Sequence, residues 1–539
     1  MRKVTLFILL IISCITLNID AQKYFVSFTD KNSNDYSLSA PQEFLSPEAL
    51  ERRTNQNINL VENDLPVTSS YLTIIQSKSV KVLHTSKWLN GAIIESSNTE
   101  AIDEIKALSF VSKVDLIWKP QLTNTIQKNN ELLKNATPSA VNVTYGNSWT
   151  QTAMVKGQYV HQNYNGEGIN IAVLDAGFKD VNSLPSFVHL WENNQIIDTY
   201  DFVNPTGNIF QEHQHGMQVL SIIGGYVENE FKGSAIKANF FLYRTEDAAT
   251  EYPVEEYYWV CAAEKADSIG ADIISSSLGY YEFDDSDMSY TYTDMDGQTS
   301  TIVKAAEIAF SKGIIVVNSA GNEGNKTWRY IISPADGENV LTVGAVDSRK
   351  EPSYFSSFGP TADGRVKPDV VALGSSTAIQ GLDGNITRGN GTSFSAPVIT
   401  GFTACIKQAL PQLSNQEIIT RVKESAHLIS NPTEQLGYGI PNFADILDIE
   451  NSVNTKHSHT TFTTYNNPFT NSIHFNAPNS INSDITIKLY NISGTLMRTE
   501  QFAPHSQLTL NNLNQLSKGI YIAQITYNNQ SQTIKLTKQ

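Results

Sequence analysis

From about residue 169 the chain alternates between short runs of apolar residues and longer segments with helical periodicity. Strands buried on both faces read as continuous apolar runs, so these runs predict interior strands. The predicted strands are 169–174, 240–243, 271–275, 313–317 and 340–343. The helical segments lie near 216–223, 253–268, 300–312 and 394–409. Buried strands separated by helices predict an α/β domain, residues 148–450, with a parallel sheet and helices on both faces.

The segment before this domain has a different pattern. Residues 22–121 contain an apolar run at 24–28, short β-like runs at 80–83 and 92–94, and a helix start at Ser46-Pro47, where serine caps and proline takes the first helical position. We expect a small α+β domain. Residues 122–147 are rich in Asn, Thr, Ser and Lys and predict an exposed linker.

The C-terminal segment alternates polar and apolar residues between Asn, Ser and Gly turns. Its predicted strands are 485–490, 507–510, 519–525 and 532–536. Short alternating strands of this kind predict a small all-β sandwich over 461–539. Residues 451–460 would form a second linker.

The N-terminus has the organisation of a signal peptide. Arg2 and Lys3 precede an apolar run from 4 to 17, and Ala21 supplies a small residue for cleavage. Ile12-Ser13-Cys14 loosely resembles a lipoprotein cleavage box, but the apolar run continues past it. The run is too short for a comfortable membrane span, and no later stretch reaches about 18 apolar residues. We therefore expect residues 1–21 to be removed, and a mature protein without a transmembrane segment outside the cytoplasm.

Composition narrows the classes of function. Apolar residues make up 40% of the chain and aromatic residues 10%, which excludes a disordered protein. There are 38 basic and 54 acidic side chains, so the net charge of −16 argues against non-specific nucleic-acid or anionic-membrane binding. Residues 461–539 differ: five basic and two acidic side chains give them a net charge of +3. The tail is a separate compositional block.

Three cysteines, Cys14, Cys261 and Cys405, exclude a disulfide-rich scaffold and a cysteine-based zinc site. Once Cys14 is removed, one disulfide at most remains. Both remaining cysteines lie in apolar helical contexts, which favours buried free thiols.

Candidate chemistry follows the predicted strands, because ligands of parallel sheets bind outside the carboxyl ends of the strands. Asp175 follows the first strand, His215 opens a helix, and Ser393 follows a glycine turn at another helix start. Each alone has an ordinary alternative: a turn aspartate, a metal pair with His213, or a capping serine. A His pair on one helix face usually needs i, i+4 spacing, which is absent. A serine nucleophile needs an imidazole base held by a carboxylate, and the chain supplies the set in the order Asp, His, Ser.

Several motifs resemble the subtilase family. Ile171-Ala172-Val173-Leu174-Asp175-Ala176-Gly177, His215-Gly216-Met217 and Gly391-Thr392-Ser393-Phe394-Ser395-Ala396-Pro397 resemble its three signatures. Ser277-Leu278-Gly279, Ser319-Ala320-Gly321-Asn322-Glu323-Gly324 and Gly437-Tyr438-Gly439-Ile440-Pro441-Asn442 resemble further family segments. The family usually has Ser or Thr at Ala176 and Thr at Met217; neither departure removes a proton-transfer group.

The resemblance implies a subtilisin-like fold and a secreted serine endopeptidase that acts on polypeptides through an acyl-enzyme. Ser393 would be the nucleophile, His215 the base, Asp175 its orienting carboxylate, and Asn322 an oxyanion donor. The primary specificity pocket would be walled by Ser277, Leu278, Gly279, Ala320 and Gly321, with Glu323 near its rim.

No cofactor is implied for catalysis, and the metal ligands stay undetermined. The acidic stretches 282–287 and 294–297 are compatible with a structural calcium ion or a preference for basic side chains, and also with a solvated acidic loop.

The two ends also resemble known modules. Residues 22–121 are similar to subtilase propeptides, which assist folding and then occupy the cleft; the alternative is a permanent domain. No dibasic site marks the linker, so we expect autocatalytic cleavage there. Asn466-Asn467-Pro468-Phe469, Lys488–Gly494, Leu516–Tyr521 and Lys535–Lys538 resemble the type IX secretion sorting domain of Bacteroidetes. That implies export to the medium or cell surface by the type IX machinery; the alternative is a carbohydrate- or protein-binding module.

The sequence also bears on two other functions. An esterase or lipase of the α/β-hydrolase class is excluded, because the nucleophile motif is not Gly-x-Ser-x-Gly and because His precedes Ser in the chain. A non-catalytic binding protein with the subtilase fold stays open.

Overall fold

The structure, a computed structural model, describes residues 21–120, 144–447 and 462–539, apart from 465–466, 478–482, 505–506 and 528–529. It divides into two compact units, residues 1–447 and 448–539. The predicted signal peptide apart from its last residue, most of the linker 122–147 and the whole linker 451–460 lie outside the described residues. The predicted bounds of the six segments therefore remain predictions.

The N-terminal segment folds as an α+β domain. Its helices and strands are β1 (Gln22–Phe28), α1 (Pro47–Asn55), α2 (Ser69–Gln76), β2 (Lys81–Ser86), β3 (Gly91–Ser96), α3 (Thr99–Lys106) and β4 (Val111–Trp118). The strands form one sheet in the order β2-β3-β1-β4, and all neighbours are antiparallel. Helix α1 begins as predicted, because the Ser46 side chain accepts a hydrogen bond from the Ala49 N–H and Pro47 stands in the first turn.

The next segment supplies the central sheet. Its elements are α4 (Trp149–Met154), α5 (Gly157–Val160), β5 (Asn170–Asp175), α6 (Val188–Glu192), β6 (Ile196–Asp201), α7 (His215–Gly224), β7 (Tyr226–Val227), β8 (Phe231–Lys232), β9 (Asn239–Arg244), α8 (Val254–Ile269), β10 (Ile273–Ser276), α9 (Thr301–Ser311), β11 (Ile315–Ser319), β12 (Leu341–Val346), β13 (Val370–Leu373), β14 (Thr377–Gln380), β15 (Ile386–Gly389), α10 (Thr392–Ala409) and α11 (Asn415–Glu424). Seven strands form one sheet in the order β13-β12-β11-β10-β5-β9-β6, with all neighbouring pairs parallel. The predicted α/β parallel sheet is confirmed.

Both faces of this sheet are covered. Successive side chains of a strand point to opposite faces. In β5, Ile171 and Val173 belong to an apolar cluster that includes residues of α7 and α10. Ala172 and Leu174 belong to another, which includes residues of α8 and α9. This explains why β5 has a continuous apolar sequence, and it confirms the helices on both faces.

The N-terminal segment packs against α8. Phe25, Trp88 and Ile93 share an apolar cluster with residues of this helix, and the Phe25 ring stacks on Tyr257 at 4.5 Å. A polar network surrounds the apolar contact. Glu264 of α8 accepts hydrogen bonds from the backbone N–H groups of Lys87 (2.7 Å) and Trp88 (3.0 Å). The N-terminal segment is thereby fixed by backbone as well as side-chain contacts.

Asp267, near the end of α8, is the centre of a buried ionic network. Its carboxylate pairs with Arg52 (2.5 Å), Arg53 (2.9 Å) and Lys87 (3.1 Å). Asp64 of the N-terminal segment pairs in turn with Arg53 (2.9 Å) and with Lys312 (3.0 Å), which follows α9. Each of the two segments thus contributes a buried carboxylate that pairs with cations of the other segment.

The second unit is all-β. Its strands are β16 (Thr463–Thr464), β17 (Ile473–Asn476), β18 (Ile485–Asn491), β19 (Leu496–Phe502), β20 (Gln507–Leu510), β21 (Gly519–Tyr527) and β22 (Gln530–Lys538). They form two sheets, ordered β16-β17-β20 and β19-β18-β21-β22. Side chains of both sheets, such as Phe475 and Leu489, share one apolar cluster. The predicted small sandwich is confirmed.

Two further expectations concern the described residues. Cys261 and Cys405 are buried free thiols. None of the helices in the described ranges has the length and apolar character needed to cross a membrane.

Candidate active site

Asp175 is the last residue of β5 and is fully buried at the C-terminal edge of the sheet. Its Oδ1 accepts hydrogen bonds from the Ala176 N–H (2.7 Å) and from His215 Nδ1 (2.8 Å), and its Oδ2 lies 3.0 Å from the same ring nitrogen. The backbone at Ala176 therefore supports the carboxylate, although the family's usual hydroxyl side chain is missing there.

His215 reaches Asp175 because α7 begins very close to β5. A Cβ at Gly216 would stand 2.5 Å from the Gly177 carbonyl oxygen and 2.8 Å from the Asp175 Cβ. Only glycine fits at this approach, which explains the His-Gly pair at the start of the helix. Met217 points into the core and is fully buried, so this departure from the family pattern serves packing.

The electrostatic surroundings of His215 favour its charged form. Burial lowers the pKa of the ring, but the charge and hydrogen bond of Asp175, with a further contribution from Glu246, raise the pKa above its usual value of 6.5. Glu246 follows β9 and is buried, and its carboxylate accepts a hydrogen bond from the Tyr280 hydroxyl. The imidazole is thus prepared to accept a proton.

Ser393 lies in the first turn of α10, after Gly391, which caps the helix with φ of 153°. This backbone conformation favours glycine and turns the chain into the helix. The Ser393 hydroxyl donates to the Ser277 carbonyl oxygen (3.3 Å), and the Ser277 hydroxyl donates to the Ser393 carbonyl oxygen (3.1 Å). The next residue, Phe394, has its ring 6.0 Å from that of His215. The described contacts include no hydrogen bond between His215 and Ser393.

Asn322 follows β11 and faces the same turn. Its Oδ1 accepts hydrogen bonds from the N–H (2.9 Å) and the hydroxyl (3.1 Å) of Thr392. Its Nδ2 lies 3.7 Å from the position that a Cβ at Gly391 would occupy. The side-chain amide is therefore oriented with its donor nitrogen toward the turn that carries Ser393. The structure brings all four predicted catalytic residues to one edge of the sheet.

The predicted pocket walls also lie at this edge. Ser277, Leu278 and Gly279 follow β10, whereas Ala320 and Gly321 follow β11. Asn318 links the two segments, because its Nδ2 donates to the carbonyl oxygens of Leu278 (3.0 Å) and Ser319 (2.8 Å). Glu323 is buried and accepts hydrogen bonds from the Tyr281 hydroxyl (2.9 Å) and Lys326 (3.0 Å). Its charge is therefore largely engaged within the protein.

Several carboxylates of the acidic stretches are engaged within the protein. Asp285 pairs with Lys119 (2.5 Å), Asp294 caps the backbone of Thr291 (2.7 Å), and Asp296 accepts hydrogen bonds from Gln298 and Thr299 (2.8 Å each). Within the described ranges, the one group of carboxylates, imidazoles and thiols close enough to share an ion is Glu246, Glu251 and Glu255. It includes neither acidic stretch and neither His213 nor His215. A structural calcium ion stays a hypothesis.

Sequence reasoning missed three residues near the site. Thr392 directly precedes the nucleophile but orients Asn322, which is 70 positions away in sequence. Glu246 follows β9, so the rule that pointed to Asp175 at its strand end applies to it equally. Ile332 reaches the pocket walls from a loop between β11 and β12. No periodicity or spacing signal marks this last residue.

Comparison with known proteins assigns the family. Residues 166–444 match the model of the subtilase family, so the chain belongs to this family. Residues 23–135 match the peptidase S8 propeptide domain of Bacteroidota, and residues 463–539 match the secretion system C-terminal sorting domain. The catalytic family, the propeptide and the sorting domain expected from the sequence are confirmed.

Individual relatives are distant. The serine protease AprX of Bacillus subtilis is 29% identical over 323 residues, which cover 54% of this chain and 67% of the relative. Subtilisin DY of Bacillus licheniformis is 26% identical over 266 residues, covering 49% of this chain and 86% of the relative. The crystal structure of MycP1 from Mycobacterium smegmatis is 23% identical, with a TM-score of 0.46, and covers 60% of this chain and 89% of that one.

Proposed function

We propose that this chain is a secreted serine endopeptidase that hydrolyses peptide bonds through an acyl-enzyme. The observation that carries the proposal is the hydrogen bond between Asp175 and His215 at the sheet edge where Ser393 opens α10. A carboxylate that holds an imidazole beside a serine is the arrangement that makes a serine hydroxyl nucleophilic.

Each residue then has a defined role. Ser393 Oγ attacks the substrate carbonyl carbon, and its proton passes to His215 Nε2. Asp175 orients the ring and stabilises the imidazolium. The tetrahedral oxyanion accepts hydrogen bonds from Asn322 Nδ2 and the Ser393 N–H. His215 returns its proton to the leaving amine, and water then hydrolyses the ester by the same steps in reverse.

The test is labelling by a fluorophosphonate probe together with casein hydrolysis. We expect the secreted protein to be labelled and active, and Ser393→Ala to lose both properties. Ser395→Ala is the matched control: it lies on the same helix, and its hydroxyl donates to the Thr392 carbonyl (2.9 Å). This variant should still be labelled. A wild-type protein that binds no probe and cleaves no protein would favour the non-catalytic binding function instead.

The two ends fit a zymogen that is exported. The N-terminal segment lies against the catalytic part through a buried network, and Lys119, just after β4, pairs with Asp285 beyond β10 (2.5 Å). In the proposed function this segment is the enzyme's own propeptide, and it is removed by cleavage within 122–147.

The tail would direct export by the type IX machinery. A reporter fused to residues 455–539 should pass the outer membrane in a bacterium with that machinery. Retention in the periplasm would contradict the export role and favour a binding module.

A further inference from the structure

Two chain segments diverge beside Ser393. Strands β10 and β11 are paired up to Ser276 and Asn318. Beyond that pair, one segment contacts the nucleophile turn through Ser277 and the other through Asn322. The gap between the segments is therefore bordered by the turn that carries Ser393, and in the proposed function it is the space open to the side chain next to the attacked carbonyl.

A third residue fills this gap. Gly279 stands in one segment and Gly321 in the other. The Cδ1 of Ile332 lies 2.6 Å from the position of a Cβ at Gly279 and 3.0 Å from that of a Cβ at Gly321. The Ile332 side chain thus lies between the two glycines, in the space that their missing side chains leave.

Ile332 is held firmly in this position. Its N–H donates to the Ala320 carbonyl (3.3 Å), and the next residue, Ser333, exchanges backbone hydrogen bonds with Tyr280 (2.8 and 3.1 Å). The segment that carries Ile332 is therefore bonded to both walls of the gap. Its side chain is buried, with 8% exposure. Displacing it would require breaking this packing, since interiors tolerate added volume poorly.

We propose that Ile332 closes the pocket beside Ser393 at a shallow depth, so that the enzyme cleaves after residues with small side chains such as alanine, glycine and serine. The inference rests on the proposed peptidase function and specifies its substrate class. A leucine or phenylalanine side chain would compete with Ile332 for the same volume. A basic side chain would meet the same obstruction, and the nearby carboxylate of Glu323 already binds Lys326 and Tyr281.

The experiment uses the purified secreted enzyme and peptide p-nitroanilides that differ only in the residue before the scissile bond. We expect kcat/KM for alanine to exceed the values for leucine, phenylalanine and arginine by about 10-fold or more, because one methylene in a pocket changes selectivity about 10- to 200-fold. Equal or faster cleavage after phenylalanine or arginine would overturn the proposal.

Variants test the residue itself. Ile332→Ala should raise the ratio of phenylalanine to alanine cleavage by about 10-fold or more, and Ile332→Val, which removes one methyl group, should raise it less and is the milder change for folding. Ile419→Ala is the matched control, because this buried isoleucine of α11 packs in an apolar cluster that contains none of the pocket-wall residues. The ratio should be unchanged there. An unchanged ratio in Ile332→Ala would overturn the assignment.

Failure of the pocket proposal is distinguishable from failure of the proposed function. A protein that is labelled at Ser393 and cleaves casein, yet prefers large residues, contradicts only the role of Ile332. A protein without labelling and without hydrolysis of any substrate contradicts the peptidase function, and the pocket proposal fails with it.

Discussion

The side-chain oxygen of Asn322 accepts two hydrogen bonds from Thr392, one from the backbone N–H (2.9 Å) and one from the hydroxyl (3.1 Å). An amide whose oxygen is occupied in this way has its nitrogen fixed on the other side. Thr392 immediately precedes the proposed nucleophile, so the same turn that presents Ser393 also orients the proposed oxyanion donor. Nucleophile and donor are thereby positioned by one local structure.

Asn322→Ala should lower kcat about 100- to 1000-fold with little change in KM, because the lost hydrogen bond forms only with the oxyanion. Thr392→Val should lower kcat by a smaller factor, about 5- to 30-fold, since its hydroxyl both donates to Asn322 (3.1 Å) and accepts from the Gly321 N–H (3.2 Å), each bond is worth about 1 kcal/mol, and the backbone contact to Asn322 remains. Thr392→Ser keeps the hydroxyl and should restore kcat. Steady-state kinetics on one peptide substrate check all three, and an unchanged kcat in Asn322→Ala would remove this residue from the mechanism.

The raised pKa of His215 predicts the pH dependence of the enzyme. The neutral ring is the base, so kcat/KM should increase with pH through the pKa of the free enzyme, and the midpoint should lie above the ordinary value of 6.5. Burial lowers this pKa while Asp175 and Glu246 raise it. Glu246→Gln removes one of the raising charges, so its midpoint should move to lower pH.

Two further variants test the same dependence of the pH midpoint on charge. Asp175→Asn should lower the midpoint and also reduce kcat by about 10⁴, because the ring loses its orienting carboxylate. Glu228→Gln removes an exposed charge in the turn between β7 and β8, and its midpoint should stay at the wild-type value. A Glu246→Gln midpoint equal to or above that of the wild type would contradict the electrostatic role of Glu246.

The sequence predicted the interior strands of the central sheet but not its edges. The five predicted strands correspond to β5, β9, β10, β11 and β12, whereas β6 and β13 are the two outermost strands. In β6 partly exposed residues alternate with exposed ones as far as the buried Asp201. β13 differs, because its four residues, Val370–Leu373, are apolar and buried; it was missed although it has the continuous apolar sequence of the interior strands. In the tail the sequence missed β16, β17 and β19. β19 is an edge strand with mostly exposed side chains, whereas β17 is the middle strand of its sheet. For β6 and β19 the reason is that an edge strand is paired on one side only and does not need the continuous apolar sequence that marked the predicted strands.

The sequence likewise predicted only part of the site. Asp175, His215, Ser393 and Asn322 lie in recognisable motifs at strand or helix ends, and the structure places them together. Ile332 acts through contacts with Gly279 and Gly321, which are distant in sequence, and it is part of no such motif. Its position depends on how the loop between β11 and β12 returns to the sheet edge, which local pattern does not encode. Glu246 is different, because it follows β9 and the strand-end rule applies to it.

Processing of the precursor depends on the same serine. We expect the secreted wild-type enzyme to begin within 122–147 and Ser393→Ala to be recovered with the N-terminal segment still attached, because cleavage is autocatalytic. N-terminal sequencing of both proteins is the measurement. A wild-type product that is active yet still begins at Gln22 would show that the segment is a permanent domain.

Asp267 should determine how strongly the N-terminal segment is held. Its carboxylate is fully buried and meets three cations of that segment, Arg52, Arg53 and Lys87. Removing one partner from a buried ionic network leaves the others uncompensated, at a cost of about 3–5 kcal/mol. In the uncleaved Ser393→Ala background, Asp267→Asn should therefore increase amide hydrogen exchange in β1 to β4 and lower the temperature at which this segment unfolds.

The pH dependence of this contact follows from the sign of the pKa shifts. Burial raises the pKa of Asp267, but the three cations lower it by more than burial raises it, so that the net shift is downward. The pKa of Asp64 is also lowered. A carboxylate with a depressed pKa stabilises the folded state above its ordinary value of 3.8 and loses this contribution as the pH falls. The part of the protection that Asp267 supplies, measured as the difference in exchange between the Ser393→Ala protein with and without Asp267→Asn, should thus stay constant between pH 7 and pH 5 and decrease only below about pH 4. Asp103→Asn, which removes an exposed partner of Lys106, should change neither the exchange nor its pH dependence. Equal exchange in Asp267→Asn and Asp103→Asn would mean that the apolar contacts of Phe25, Trp88 and Ile93 with α8, rather than the charges, hold the segment in place.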